Sequence, residues 1–125
     1  MKKIVFFILL IFLNTSHAFD NDELKKKCEA NNFESCSRLA LRYDNGLGVH
    51  TNYFIAFELY KKACNGKNAE GCFSLAWSYE HGKAVRQDKS KALQLYGKAC
   101  ELKYNSGCER YALLKNAGVK EYYIF

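Results

Sequence analysis

The pattern of apolar and polar residues along this chain returns every 36 residues. Its strictest markers are six cysteines, which form three pairs with seven residues inside each pair, and each pair lies 36 residues after the one before. A period between about 20 and 50 residues is typical of stacked structural units that share one core. The chain is therefore predicted to be a solenoid, marked by Cys28 and Cys36, Cys64 and Cys72, and Cys100 and Cys108.

Between the cysteine pairs, apolar residues follow the spacing of a helix. Cys36, Leu39, Ala40 and Tyr43 lie at i, i+3, i+4 and i+7, which places them on one side of a helix, and 36 residues later the same four residue types recur. Gly46 follows the last of them and is a typical helix stop signal. We call this predicted helix, and its later copies, helix A.

A second predicted helix, helix B, follows helix A after a short loop. Asn52 and Asp88 are favourable N-caps for its two copies. Alanines at equal positions allow close helix packing, and aromatic residues fill the space beside them. The helix B stripes are Ala56, Leu59, Tyr60 and Ala63 in one copy and Ala92, Leu95, Tyr96 and Ala99 in the next. The fold class is thus all-α, an α/α superhelical solenoid of antiparallel helix pairs.

The cysteines allow two regular pairings. Local pairing joins the two cysteines that have seven residues between them, and it uses all six sulfurs. Pairing Cys36 with Cys64 and Cys72 with Cys100 leaves Cys28 and Cys108 unpaired. We favour the local pairing, since it bonds every cysteine of a chain predicted to be exported. It requires each helix B to lie antiparallel to the next helix A, with bridged Cα atoms roughly 5 to 6 Å apart.

The two ends of the array depart from the repeat. Leu24 and Cys28 occupy the places of Tyr60 and Cys64, so residues 20–28 are expected to form the end of a preceding helix B. At the other end Lys115 replaces the expected tyrosine. The apolar tail, residues 121–125, is expected to fold back over the last helix, with a disordered tail as the alternative.

The first 18 residues have the composition of a signal peptide. Lys2 and Lys3 precede an apolar run at 4–13 that is too short to span a bilayer, and the small residues Ser16 and Ala18 fit a cleavage site after Ala18. Cleavage would lower the net charge from +6 to +4 and leave one small domain, residues 19–125. A secreted or periplasmic location without stable membrane insertion is predicted.

The chain resembles the Sel-one-like repeat family, relatives of tetratricopeptide repeats. The resemblance rests on Gly46-x-Gly48-Val49, on Asp88-x-x-Lys91-Ala92, and on Leu-Tyr-x-Lys-Ala-Cys at 59–64 and 95–100. The cysteine spacing is similar to the secreted branch known as the Helicobacter cysteine-rich proteins. This resemblance implies a right-handed superhelix with one disulfide per repeat, with repeats at approximately 28–63, 64–99 and, in part, 100–125.

The chain departs from the family pattern at a few positions. Asn52 stands where the family favours aspartate, Ile55 where it favours lysine, and Ala84 where it favours glycine. These positions concern helix capping and the loop between helix A and helix B. They change neither the predicted fold nor the predicted bridges.

The family resemblance also implies penicillin binding and weak β-lactam hydrolysis. A serine β-lactamase would need Ser-x-x-Lys and Lys-Thr-Gly, and neither string occurs. A zinc enzyme would need clustered imidazoles, but only His50 and His81 follow the predicted cleavage site, at unmatched places in their repeats. No residue receives a catalytic role, and no cofactor or metal is predicted.

Binding is the function that the residues support more directly. Stacked A helices form a continuous surface in a solenoid, and Trp77, whose counterparts are Leu41 and Leu113, is predicted to point away from the B helices. A protein, peptide or peptidoglycan-type ligand fits this surface, with a β-lactam as the alternative. The predicted groove consists of Arg38, Arg42, Ser74, Trp77 and Ser78. Trp77 filling a gap between repeats is the competing interpretation.

Nucleic acid is not a predicted partner. The lysines do not form one stripe among aromatic residues, and most of them fall on the helix B faces. Such lysines usually belong to a solvated convex surface. The sequence thus leaves two function classes, an exported binding module and a β-lactamase-like hydrolase.

Overall fold

Residues 2–122 are described by a computed structural model, excluding the side chains of residues 6, 7 and 9–19. Within this range the regular structure is helical throughout, which confirms the all-α prediction. The helices are α1 Lys2–Glu29, α2 Phe33–Asn45, α3 Tyr53–Asn65, α4 Ala69–His81, α5 Lys89–Glu101 and α6 Asn105–Asn116.

The helices alternate between the two predicted types. Helices α2, α4 and α6 are A helices, α3 and α5 are B helices, and the last residues of α1 take the place of a helix B before the first repeat. Each helix packs against the next one in the chain, and α2 also contacts α4. This order of contacts is that of a solenoid, in which units contact their neighbours.

The helix ends form where the sequence predicts. Gly46 and Gly82 adopt the left-handed conformation after α2 and α4, and the side chains of Asn52 and Asp88 accept hydrogen bonds from backbone N–H groups of α3 and α5. The sequence analysis missed a second set of N-caps in the turns between B and A helices. There Asn32 caps α2 and Asn68 caps α4.

Three disulfides join each helix B to the following helix A. The bonded pairs are the local ones, and their Cα atoms lie 4.6, 4.4 and 4.5 Å apart, which is closer than the 5 to 6 Å expected. The helices approach closely at Gly71, where an added Cβ would lie 2.6 Å from the Cβ of Ala63, and at Gly107, 2.8 Å from that of Ala99. A glycine on helix A opposite an alanine on helix B thus permits the short Cα–Cα distance of the second and third bridges.

The core is made of the residues that the repeat aligned. Alanines at equal positions, such as Ala40 and Ala76, have no exposed surface, and the fully buried side chain of Tyr96 belongs to the same core cluster. Tyr60, its counterpart in the first repeat, is buried as well. The alternation of alanine with tyrosine therefore sets the helix spacing, as expected.

Helix α1 contains both the predicted signal peptide and the half unit that precedes the first repeat. It continues through residues 2–29, and its last part packs against α2 through Leu24 and Cys28, both buried. Among the described residues, no helix combines the length and apolarity needed to span a bilayer. Cleavage after Ala18 stays a prediction.

The tail turns back onto the last complete repeat. Val119 packs against the core, and the side chains of Ser90 and Gln94 donate hydrogen bonds to the carbonyls of Lys120 (2.7 Å) and Tyr122 (3.1 Å). These two donors belong to α5, whereas the sequence predicted α6 as the support. Residues 123–125 of the tail lie outside the described part.

Candidate binding surface

A row of three exposed apolar side chains crosses the A helices. Leu41, Trp77 and Leu113 lie 36 residues apart, one on each A helix, and they are 44%, 38% and 58% exposed. On α2 and α4 the preceding residue, Ala40 or Ala76, is fully buried, so the exposed side chain lies next to the core-facing stripe. We call Leu41, Trp77 and Leu113 the outer row.

Trp77 lies within a group of aromatic and charged side chains. Its ring stacks on that of His81 with centroids 4.1 Å apart, and the Lys83 ammonium lies 5.2 Å from its centroid. The same ammonium lies 4.3 Å from the ring of Tyr53 and 3.0 Å from a carboxylate oxygen of Asp44. Cation–π contacts and an ion pair thus hold the loop after α4 against the first repeat.

The two arginines predicted for the groove are already paired. Arg38 is exposed and binds Glu34 one turn away at 3.0 Å, whereas Arg42 binds Asp20 of α1 at 2.7 Å. The carboxylate that Arg42 was predicted to bind on a ligand is therefore replaced by that of Asp20. The sequence could not show this contact, because Asp20 lies in the atypical half unit.

The two serines predicted for the groove face inward. Ser78 is buried, and its hydroxyl donates to the Ser74 carbonyl at 3.1 Å, while Ser74 is half-buried near Tyr60. Of the five groove residues, Arg38 and Trp77 are exposed to solvent. The surface open to a ligand is therefore more apolar than the sequence indicated.

A buried polar network joins α4, α5 and α6. The Tyr96 hydroxyl donates to one oxygen of the Glu80 carboxylate at 2.6 Å, and Arg110 donates to the other. Burial opposes ionisation of Glu80, but the hydrogen bonds from Arg110 and Tyr96 outweigh it and lower the pKa of Glu80. Burial and the Glu80 carboxylate raise the pKa of Tyr96 above its ordinary value. We call this network the second joint.

The first joint occupies the same places 36 residues earlier. Asp44, Tyr60 and Ser74 stand where the second joint has Glu80, Tyr96 and Arg110. Burial, and then the charge of Asp44, raise the pKa of Tyr60. The cation that neutralises Asp44 is Lys83, from the loop after α4. The sequence analysis missed both joints. An acidic residue lies 16 residues before each of the two tyrosines, and this repeated spacing could have revealed them.

The cysteines and the possible metal ligands can be located in the structure. All six cysteines are bonded in disulfides, so their sulfurs are not thiolate nucleophiles. In the part of the chain from 2 to 122, no three or more His, Cys, Asp or Glu side chains are grouped to hold a metal ion.

The comparison with family models decides the family. The Sel1 repeat model matches residues 33–68 and 69–104, which is more than half of the chain. The chain belongs to the Sel1 repeat family. Each matched repeat begins at helix A and ends just after the following helix B, which agrees with the helix pairs described above. No curated protein matches the chain.

Solved structures of Sel1 repeat proteins are similar to this chain. A protective antigen of uropathogenic Escherichia coli with an SLR fold shares 27% identity over 81% of the chain, with a TM-score of 0.77. A Sel1 repeat protein from Oxalobacter formigenes shares 26% over 83%, with a TM-score of 0.72. The chain spans 22% and 48% of these two proteins, respectively.

Helicobacter pylori cysteine rich protein B is similar in fold and in size. It shares 24% identity over 80% of this chain and 90% of its own length, with a TM-score of 0.69. At this identity the likeness concerns the fold. It agrees with the fold that the sequence resemblance implied.

Proposed function

We propose that residues 19–125 form an exported interaction module, which binds a protein, peptide or peptidoglycan-type ligand on the outer side of its A helices. The observation that carries this proposal is the outer row, three exposed apolar side chains at one repeat position on three successive helices. Exposed aromatic and aliphatic residues on a rigid frame are typical of binding surfaces. The Sel1 repeat family supports the same function.

The proposed location outside the cytoplasm rests on two features. Three disulfides are characteristic of small proteins in oxidising compartments, and residues 1–18 have the composition of a signal peptide. Expression in a bacterial host should give a product that begins at Phe19, as read by N-terminal sequencing. A product that begins at Met1 would contradict export by this route.

A capture experiment tests the binding function. Immobilised, oxidised protein is exposed to envelope and extracellular extracts, and retained proteins are compared between the wild type and Trp77→Ala. We expect Trp77→Ala to weaken capture about tenfold or more, while its circular dichroism stays the same. Phe54→Ala, which removes another exposed aromatic ring, is the control because Phe54 lies on α3. Equal capture by all three proteins would contradict the proposal.

The alternative is β-lactam hydrolysis, which only the family resemblance implies. Ser78, a predicted groove residue, is buried and bonded to a backbone carbonyl. We therefore expect no turnover of a chromogenic β-lactam by the purified oxidised protein. Turnover that follows the protein through the last chromatographic step would favour the hydrolase instead.

A further inference from the structure

We propose that the disulfide Cys100–Cys108 is a site of thiol–disulfide exchange, at which a low-molecular-weight thiol forms a mixed disulfide with Cys100. This reaction is separate from the binding function proposed above and does not depend on the outer row. The two earlier bridges of the same chain have the same spacing along the sequence but a different environment. They provide the reference for the third.

The three bridges differ in burial. The four cysteines of the first two bridges are at most 3% exposed, whereas Cys100 and Cys108 are both partly exposed. Exchange requires the attacking thiolate to reach a disulfide sulfur, so exposed disulfides are the ones that react with thiols. The third bridge is therefore the one that a thiol can reach in the folded protein.

The first two bridges are covered by the helix B that follows each of them. The first packs with Ala63 of α3, and the second belongs to the core cluster that includes Ala99 of α5. In the described part of the chain, α6 is the last helix after the third bridge. Ala112 of α6 is exposed, although its counterparts Ala40 and Ala76 have no exposed surface. The side of α6 that a further helix B would cover is thus open.

A groove of about 740 Å³ leads to the third bridge. Residues of α5 and α6 line it, among them Cys100, Gly97 and Tyr111. Gly97 stands where the earlier units have Lys25 and Lys61, so no long side chain from this position of α5 fills the space. Spaces of this size hold small organic molecules, and a low-molecular-weight thiol therefore fits beside Cys100.

Exchange begins when the thiolate of the small molecule attacks Sγ of Cys100. A new S–S bond forms to Cys100 while the bond to Cys108 breaks, and Cys108 leaves as a thiolate that takes a proton from water. Cys108 lies in the first turn of α6, where the helix dipole stabilises a thiolate and makes it a better leaving group. A second thiol that attacks the mixed disulfide leaves both cysteines reduced and the small thiol oxidised to its disulfide.

Breaking this bridge weakens the attachment of the last A helix. The side chains of Asn32 and Asn68 cap α2 and α4, but Tyr104 stands at that position before α6 and makes no side-chain cap. The buried residues of α6 are Gly107 and Leu114, fewer than in α2 or α4. We therefore expect reduction of the third bridge to unfold α6 locally, while the two earlier bridges still hold the repeats.

Reaction of the oxidised wild-type protein with dithiothreitol tests the site, and the two earlier bridges are the internal control. Dithiothreitol is uncharged, which suits a groove lined by charges of both signs, such as Lys98 and Glu101. Free thiols are blocked with N-ethylmaleimide at successive times and located by peptide mass mapping. We expect the third bridge to open at least about tenfold faster than either of the others. Equal rates, a faster reaction at Cys28–Cys36 or Cys64–Cys72, or no reaction at the third bridge overturns the proposal.

Dilute urea separates direct attack on the folded protein from reaction after unfolding. A bridge that reacts only through unfolding opens faster as urea is added, because the unfolded fraction rises with the urea concentration. Below the unfolding transition we therefore expect the two earlier bridges to react faster, and the rate of the third to change less than about twofold. Equal urea dependence of all three bridges contradicts direct attack.

The monothiol β-mercaptoethanol identifies the attacked sulfur. After addition of N-ethylmaleimide, we expect the β-mercaptoethanol adduct on Cys100 and the maleimide on Cys108. An adduct found mainly on Cys108 contradicts attack from the groove. Hydrogen exchange of the protein with the third bridge open should then show lost protection in α6 and retained protection in α2, α3 and α4. Equal loss of protection in all helices overturns the assignment of this bridge to the last helix alone.

Discussion

The two joints of the array neutralise the same kind of carboxylate in different ways. In the first joint, Asp44 receives its cation from Lys83, in the loop after α4. In the second, Glu80 receives it from Arg110 on α6, and Val119 packs against the core at the repeat position of Lys83. The cation thus comes from a loop in the first joint and from a helix in the second.

This exchange has consequences for both stability and recognition. Because Arg110 neutralises Glu80 next to buried Tyr96, the second joint contributes to the core between α4 and α6. The Lys83 side chain is itself partly buried, and its ammonium lies 4.3 and 5.2 Å from the centroids of two exposed rings, Tyr53 and Trp77. In both repeats the carboxylate at this position is paired with one cation. The element that supplies the cation decides which part of the protein the pair supports, the last helix in the second joint or the loop beside Trp77 in the first.

The largest expected loss of stability comes from removing the disulfide beside one of the joints. Cys64–Cys72 and Cys100–Cys108 close loops of equal length, worth roughly 2.5 kcal/mol each by chain entropy. We expect Cys64→Ser with Cys72→Ser to lower the free energy of unfolding by about 2 to 4 kcal/mol, because this bridge connects the two repeats. Denaturant unfolding of the oxidised protein measures it.

The equivalent double substitution at Cys100 and Cys108 is the control. The packing of α6 is mainly against α5, and the Arg110–Glu80 pair connects it to α4, so this variant should mainly lose protection of α6 in hydrogen exchange. Equal loss of protection over all helices in both variants would show that the two joints do not differ in this way.

The next largest effect should come from Arg110→Ala at the second joint. It leaves the Glu80 carboxylate buried without its cation, and since Arg110 is about one third exposed, we expect a loss of about 2 kcal/mol. Ser74→Ala, at the same position of the first joint, should cost about 0.5 kcal/mol. Lys83→Ala should cost less than about 1 kcal/mol, since the carboxylate that it leaves unpaired, Asp44, is 21% exposed and Glu80 is 10% exposed. Thermal unfolding of the three variants ranks them, and similar losses in all would contradict the distinction.

Acid should weaken the second joint through Glu80. Its folded pKa is lowered by Arg110 and Tyr96 against the effect of burial, so its stabilising contribution is present above about pH 4.3 and is lost as the pH falls through the folded pKa. Arg110→Ala leaves burial as the main influence, which raises the pKa of Glu80 and makes acid less harmful. Denaturant unfolding between neutral pH and pH 3 should therefore show a smaller acid loss in Arg110→Ala than in the wild type. An equal loss would mean that Glu80 is not responsible.

The smallest effect concerns the loops that lead to each helix B. Gly48 and Ala84 occupy the same position and both have positive φ, 72° and 62°. This conformation is unfavourable for alanine. We expect Ala84→Gly to stabilise the protein, and Gly48→Ala to destabilise it, by about 0.5 to 1 kcal/mol each. Changes of the same sign in thermal unfolding would show that the loops are not equivalent.

The sequence allowed prediction of features that depend on one helix or one turn at a time. The stripe Cys36, Leu39 and Ala40, the N-cap Asn52 and the local bridges follow from spacing along the chain, and all are present. The resemblance also named Ala84 as a departure, and it adopts the same left-handed conformation as Gly48.

Contacts between helices were harder to predict. Arg42 was assigned to a ligand but binds Asp20, and Ser78 was placed in the groove but is buried. Both outcomes depend on how far each helix is rotated about its axis against its neighbours. A repeat identifies equivalent positions, but the packing of two helices decides which of their side chains meet.

The central claim is that a partner binds on the Trp77 side of the A helices. Acrylamide quenching of Trp77 fluorescence tests it most directly, because the chain contains one tryptophan and its ring is partly exposed in the protein alone. With a partner purified by capture at saturation, we predict that the quenching constant falls at least about twofold, since an occupied surface excludes the quencher. An unchanged quenching constant with the partner bound would contradict the claim.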